Sequence, residues 1–418
     1  MNKKYFFIIV FVTFSKCIFS QVLPLTSTTW NQGCYYNESV PTISGGQCGK
    51  AYTGCYATAL AQILKFHNYP LNSWGGNYTN SGTPVQTINF NAQTFNYNLM
   101  PNSISASNLQ IANLMYVCGV SNDMLYGSTS SNSFFNSLPF LKYFKYSLSI
   151  KGIAKFVYPL DIDWINIIKN ELNNNRIVFA KGGSHFYLID GYNLSNQFHI
   201  NFGFGGLYDG YYDILNVVAG GINYTPTNLL INIKPLATSL EFLSSYDENF
   251  IDVPSSGGTS FYKLTSLNNW TITSNQTWCT PEVLSGNAGY HGNLIATISA
   301  NTTSASRTAI ITASNGVTSL LITINQAANS LATSNVDFES NAFKFYPNPV
   351  KDIFYLESNI DFENSLDINV FNALGTTIKK IKTIDKLTKI DFSNEQSGIY
   401  YVEVKSELKT KHFKILKQ

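Results

Sequence analysis

Every helical signal in this 418-residue chain precedes Arg176, and beyond that point the sequence reads only as strands. A boundary of that kind restricts the fold to helices gathered ahead of a sheet, with all-β modules after it. The stretch "GCYATALAQILKFH" sets Ala57, Leu60, Ala61 and Leu64 at the i, i+3, i+4, i+7 spacing of one helical face. "DIDWINIIKNELNNN" predicts a second helix, opened by aspartates and closed by asparagines. "RIVFAKGG", "SHFYLIDGY" and "QFHINFGF" then predict successive strands separated by Gly and Asn turns. Residues 21–235 are therefore expected to form one α+β domain.

From about 236 to 330 the strands are short and turn-punctuated, as in a small β-sandwich. "RTAIITASNGVTSLLITINQ" predicts two strands around a type I′ turn at Asn315-Gly316. In its second strand Leu320, Ile322 and Ile324 alternate with Ser319, Leu321 and Thr323, Leu321 alone breaking the one-sided pattern. Residues 331–342 read as a linker. A second small sandwich is expected over 343–418, from "DIFYLES", "DINVFNALG", "GIYYVEV" and "HFKIL", with a Lys-rich end that protects an edge from pairing.

The first twenty residues are expected to be a cleaved signal peptide. Lys3 and Lys4 precede an apolar run from Tyr5 to Phe14, and Ser20 offers a small residue before the cut. That run is shorter than the about 20 apolar residues a membrane-spanning helix needs. The net charge of +2 supplies no electrostatic footprint for nucleic acid. Charged residues make up only 12%, so Asn, Ser and Thr must carry much of the wet surface.

Cys17 leaves with the expected leader, so five of six cysteines remain and at least one has no internal partner. Cys34 and Cys48 are near enough to close a loop, and Cys55 is also a candidate partner for either; spacing leaves the pairing open. Cys118 lies within the apolar "IANLMYVCGV" and Cys279 beside Trp278, both reading as structural. Cys55 is the thiol in a reactive setting, because a helix N-terminus presents unpaired N–H groups that lower a thiol's pKa. Thr53 and Gly54 are placed to cap and turn the chain there. A thiol nucleophile also needs a base. His67 stands twelve residues further along the same helix, about 18 Å away at 1.5 Å per residue, and is out of reach. His291 and His412 fall in the two sandwiches, which leaves His185 and His199 on neighbouring strands, the pattern leaning towards His185. No cysteine–histidine cluster has zinc-ligand spacing, and "NFGFGGLYDG" lacks the helix that a phosphate loop requires, so no metal or cofactor is expected.

Four motifs in order, "TTWNQGCYYN", "TGCYATALAQILKFHNYP", "GGSHFYLIDGY" and "FHINFGFGGLYDGYYDI", resemble the streptopain family of secreted papain-like cysteine peptidases. The resemblance implies Cys55 as nucleophile, His185 as general base, Asn201 as the residue that orients the imidazole and Gln32 as an oxyanion donor. Phe202 and Phe204 stand where the family usually has tryptophans, keeping an aromatic shield without the indole N–H. "NWTITSNQTWC", "SANTTSASRTAIITAS" and "ITINQAA" resemble the BACON domain, which implies a possible glycan partner; Trp270 and Trp278 would stack on the sugar, although a core role suits them better. "FYPNPV", "VFNALG", "SGIYYVEV" and "KHFKILKQ" resemble the C-terminal sorting domain of type IX secretion, which implies that machinery as a partner and a secreted or outer-membrane-surface location. There Pro347 and Pro349 stiffen a strand entry, and Gly375 and Gly398 supply turns. The expected function is a secreted or surface-displayed cysteine endopeptidase acting on proteins or peptides. Its rivals are an adhesion or glycan-binding protein with an inactive peptidase-like domain, and a thiol enzyme that transfers or ligates amides.

Overall fold

The computed structural model describes residues 21–245, 249–329, 342–358, 365–373, 376–406 and 410–418. The expected leader, most of the expected linker and the Gly375 turn lie outside the described residues.

Helix α1 (Cys55–His67) is held at its C-terminal end by Asn68, whose left-handed backbone lets its N–H reach the carbonyls of Leu64 and Lys65. Tyr56 through Leu64 are all buried, so α1 is a central helix covered nearly all round rather than a one-sided one. Helix α2 (Leu109–Val120) packs on it, its first turn capped by the Asn108 side chain accepting from the Ile111 N–H at 3.1 Å. Helix α3 (Asp161–Asn173) carries aspartates in its first turn, as predicted.

The sheet of this region contains β1 (Lys151–Ala154), β2 (Val178–Gly182), β3 (His185–Tyr192), β4 (Phe198–Asn201), β5 (Gly210–Tyr212) and β6 (Pro226–Ile231). All pairings are antiparallel, in the order β1-β6-β2-β3-β4-β5, so the last strand inserts between the first two. Alternation along β3 explains its unbroken apolar run. Phe186 and Leu188 join the core around α1 and α2, whereas Tyr187 and Ile189 join the core around Trp164, Ile168 and Leu172 of α3. With both faces covered, no polar alternation survives.

The middle region pairs a four-stranded sheet, Leu240–Ser244, Gly258–Ser266, Gly289–Ile298 and Cys279–Pro281, with a five-stranded one running through Arg307–Ser314 and Ser319–Gln326. Trp270, Cys279, Ile311, Ile322 and Ile324 fill the space between them, and Leu321 is the exposed exception that its pattern marked. The predicted hairpin forms, but not through a type I′ turn. Ser314 pairs with Ser319 across a four-residue loop in which only Gly316 takes a positive φ (79°). The Asn315 side chain closes this loop by accepting from the N–H groups of Val317 and Thr318 at 3.1 and 2.9 Å. Glu241 fastens the sandwich to the helical region, accepting from the Ser147 hydroxyl at 2.8 Å and the Leu148 N–H at 2.6 Å.

The C-terminal region contains a three-stranded sheet and a four-stranded sheet around Phe354, Ile368, Val370, Val402 and Val404. Tyr400, Val402 and Val404 point inward at period two, as the sequence predicts. By compactness the chain falls into two units: residues up to Asn301 with Arg307–Ala327, and Thr302–Ser306 with Ala328–Gln418.

Candidate active site

Cys55 is the first residue of α1, and Gly54 makes that start possible. At φ 88° and ψ 145° it adopts a backbone that side chains disfavour, and a Cβ there would stand 2.7 Å from the Met124 sulfur and 3.2 Å from the Ser131 carbonyl. Thr53 does not cap the helix. Its hydroxyl instead pairs with that of Thr58 at 2.9 Å, and Thr58 donates to the Gly54 carbonyl at 3.1 Å. The first amides of α1 are thus left to the cysteine.

His185 opens β3, directly after the Gly183-Ser184 turn that joins it to β2. Its ring stacks on Phe204 with centroids 4.5 Å apart and planes 19° from parallel. Nε2 lies 2.8 Å from the Phe202 carbonyl oxygen. A carbonyl only accepts, so Nε2 carries the proton and the neutral ring keeps its lone pair on Nδ1. Cys55, His185 and Gln32, drawn from three distant stretches of chain, line one cavity of about 370 Å³ together with Phe204, Tyr224 and the Ser130–Asn132 loop.

Gln32 is fixed through its backbone. Its N–H donates to the Asn31 side chain at 2.7 Å and its carbonyl accepts from the Thr53 N–H at 3.0 Å. Its side-chain amide has no protein partner among the described residues and faces the cavity unengaged. Just beyond it Cys34 and Cys48 form a disulfide, with Cα atoms 5.8 Å apart, which settles the open pairing and leaves Cys55 free. Cys118 and Cys279 are free and fully buried.

Burial governs the electrostatics. It pushes the Cys55 thiol above its ordinary value, although hydrogen bonds from the backbone of Phe186, Tyr56 and Cys55 itself pull the other way. It also lowers His185 to about 4, against the raising effect of the Phe202 carbonyl. The helix N-terminus was expected to acidify the thiol. Its amides do act in that direction, but desolvation exceeds them, so burial favours the uncharged form of each group.

Asn201 is placed differently from the expectation. It does not hold the imidazole, because the Phe202 carbonyl takes that position and the buried Asn201 amide is committed elsewhere, to the Thr28 carbonyl at 2.6 Å and to Gln62 at 3.2 Å. A backbone acceptor has no sequence signature, which is why it escaped prediction. Asp209 was also missed: its carboxylate accepts from the Phe202 N–H at 2.8 Å, and burial lifts it to about 6. Gln62 was missed too: it stands off the stripe of Ala57, Leu60, Ala61 and Leu64, on the side of Cys55 and Thr58, where a polar residue reads as solvent-facing, yet it is fully buried. His199 turns away from the cavity to Asp190, and no group of three His, Cys, Asp or Glu side chains among the described residues is arranged to hold a metal.

Three stretches of the chain match known families. Residues 30–212 match the Peptidase C10 family, 268–327 the BACON putative binding domain, and 344–418 the secretion system C-terminal sorting domain. Streptopain of Streptococcus pyogenes is 34% identical, over 49% of this chain and 60% of its own length. The thiol protease/hemagglutinin PrtT of Porphyromonas gingivalis is 30% identical, over 49% of this chain and 26% of its own. The chain thus spans about three fifths of the streptopains and about a quarter of that larger protein. Among solved structures, the interpain A cysteine protease of Prevotella intermedia aligns at 27% identity over 51% of this chain and 94% of its own, with a TM-score of 0.46. Three stretches of the chain are therefore similar, in order, to a Peptidase C10 domain, a BACON domain and a secretion sorting domain.

Proposed function

We propose that a chain whose residues 30–212 match the peptidase family of streptopain is itself a cysteine endopeptidase, with Cys55 as nucleophile and His185 as general base. The observation that carries this reading is the single cavity shared by Cys55, His185 and Gln32. In the reaction Nδ1 of His185 takes the thiol proton as the sulfur attacks a peptide carbonyl. The oxyanion that develops is met by the Cys55 N–H and the unengaged amide of Gln32; losing one such donor typically costs about 100- to 1000-fold in rate. The imidazolium, its Nε2–H held by the Phe202 carbonyl, passes the Nδ1 proton to the departing amine as the C–N bond breaks, which leaves a thioester. Water, deprotonated by the same imidazole, then attacks the thioester and releases the acid. Two neutral partners suit this order of events, because the proton moves only when substrate has completed the desolvated site.

Incubation of the full chain with a thiol-directed epoxide and with casein, beside Cys55→Ala, tests the assignment. Labelling and cleavage that both vanish in the variant are expected. Labelling without cleavage would favour amide transfer, and neither would favour the adhesion protein.

The match of the C-terminal region supports passage through the outer membrane, and the basic start and apolar run of the first twenty residues support a leader cut between Ser20 and Gln21. Deleting residues 343–418 should strand the enzyme inside the cell envelope, and N-terminal sequencing of exported protein should begin at Gln21. The glycan role of the middle domain has less behind it. Trp270 is 2% exposed, and the Arg307 guanidinium covers one face of the half-buried Trp278 with its carbon 4.2 Å from the ring centroid, so both indoles serve the packing of the sandwich. Glycan-array binding by the isolated sandwich would revive that role.

A further inference from the structure

We propose that Gln62 and Asn201 are positioning residues that hold the oxyanion donor, the nucleophile and the base in one register; the proposal rests on the peptidase reading above. Gln62 lies seven residues, two helical turns, beyond Cys55 on α1 and is fully buried. Its Oε1 accepts from the Thr28 hydroxyl at 2.8 Å, from the Trp30 N–H at 3.4 Å and from Asn201 Nδ2 at 3.2 Å. Its Nε2 donates to Asn201 Oδ1 at 3.2 Å, which makes a reciprocal amide pair. Asn201, 2% exposed at the end of β4, also donates to the Thr28 carbonyl at 2.6 Å and accepts from the Gly203 N–H at 3.0 Å.

Each segment joined at this point delivers one part of the site. The strand through Thr28 and Trp30 leads to Gln32. Helix α1 begins with Cys55. The turn after Asn201 supplies the Phe202 carbonyl and the Phe204 ring that hold His185. Contact is close throughout: a Cβ on Gly203 would stand 3.0 Å from the Thr58 methyl of α1, and the Gly205 N–H donates to the Trp30 carbonyl at 3.0 Å. An apolar side chain at position 62 would suit the surrounding core without desolvating an amide. A buried polar network in which each amide oxygen and nitrogen has a partner, drawn from three segments, instead admits one relative placement of those segments. Directional bonds of this kind fix register in a way that packing alone does not.

The test is a double-mutant cycle on kcat and KM with Gln62→Met and Gln32→Ala in the full chain. Gln62→Met should lower kcat about tenfold or more, short of the loss for deleting an oxyanion donor outright, with KM little changed. In the Gln32→Ala background the same change should cost at least about threefold less than in the wild type, because one of the three groups it holds is already gone. Equal losses in both backgrounds, or an unchanged kcat with only a lower melting temperature, would overturn the proposal. Should Gln62→Met not fold, Thr28→Val removes one bond to Gln62 with little change of shape, and the same cycle applies to it. Amide hydrogen exchange on the Cys55→Ala protein adds a readout that needs no turnover. Faster exchange at Trp30 in the Gln62 or Thr28 variant is expected, and unchanged exchange would count against the network. A wild type that cleaves nothing would defeat the peptidase reading, whereas the exchange result would still judge the tie between the segments.

Discussion

His185 and His199 stand on adjacent strands of one sheet, each with a single close hydrogen-bond partner and an aromatic neighbour, yet their surroundings give them opposite uses. His185 meets a neutral carbonyl, the Phe202 oxygen at 2.8 Å, and lines the cavity beside Cys55. His199 meets a carboxylate, Asp190 Oδ1 at 2.6 Å; the other oxygen of that fully buried acid accepts from the N–H and hydroxyl of Thr26. A carbonyl fixes the tautomer while leaving the ring neutral and its second nitrogen available. A buried carboxylate binds the ring tightly and ties it to the N-terminal segment. The sequence pattern left both histidines open as the base, and it is the partner, not the residue type or the strand, that separates them.

The sharpest way to break this contrast is to remove each ring in turn. His185→Ala should lower kcat/KM by about 10,000-fold or more, the scale seen when a nucleophile loses its base. His199→Gln should leave peptide cleavage near the wild-type rate. A large catalytic loss in His199→Gln would show that the two rings share the work.

Acid titration should test the burial of the His185 ring next. An unfolded histidine takes up a proton near pH 6.5, whereas buried His185 does so only at about 4. Between those values the unfolded state binds the extra proton, so stability is full above about 6.5 and falls as the pH drops towards 4, by roughly 3 kcal/mol. His67, also lowered to about 4 by its burial, adds a step of the same sign. The difference in urea midpoints between wild type and His185→Gln across this range is therefore the measurement, and a constant difference would refute the desolvated neutral ring. His199→Ala should instead cost about 1–3 kcal/mol of stability, because the buried Asp190 side chain loses the ring that it bonds.

The same contrast shows which features a sequence can reveal. Helix α1, with Cys55 at its start, and the strands β2 to β4 were legible because local periodicity and turn residues encode them. Helix α2 was read only as an apolar stretch. Ile111, Ala112, Leu114, Met115, Val117 and Cys118 are buried on nearly every side, so no stripe marks the helical period. The insertion of β6 between β1 and β2 is a long-range pairing with no local trace. In the candidate site, Cys55, His185 and Gln32 were picked out through motifs and the fold brings them to one cavity, whereas the imidazole was expected to meet the Asn201 side chain and meets the backbone oxygen of the next residue. The Asn315-Gly316 hairpin failed in the same way, its existence predicted and its turn type missed, because a side chain bonding to later amides lengthened the loop.

The smallest expected effect bears on the aromatic neighbours. Phe204 lies nearly parallel to His185, 4.5 Å away and 19° from coplanar, whereas Tyr211 meets His199 edge-on at 5.2 Å and 69°. A parallel ring covers the face of the imidazole, excludes water from it and so helps to keep it neutral. An edge contact leaves more of the ring uncovered. Aromatic pairs contribute about 0.5–1.5 kcal/mol beyond simple burial. Phe204→Leu should therefore lower kcat/KM by roughly two- to tenfold and move the acid limb of its pH profile upward from about 4, because a less desolvated imidazole protonates more easily. Tyr211→Leu should change neither. The direction of the shift decides the cause: an acid limb that stays in place in Phe204→Leu would mean that the stacked ring only positions His185, and that the burial keeping the imidazole neutral comes from Tyr187, Phe202 and Tyr224 around it.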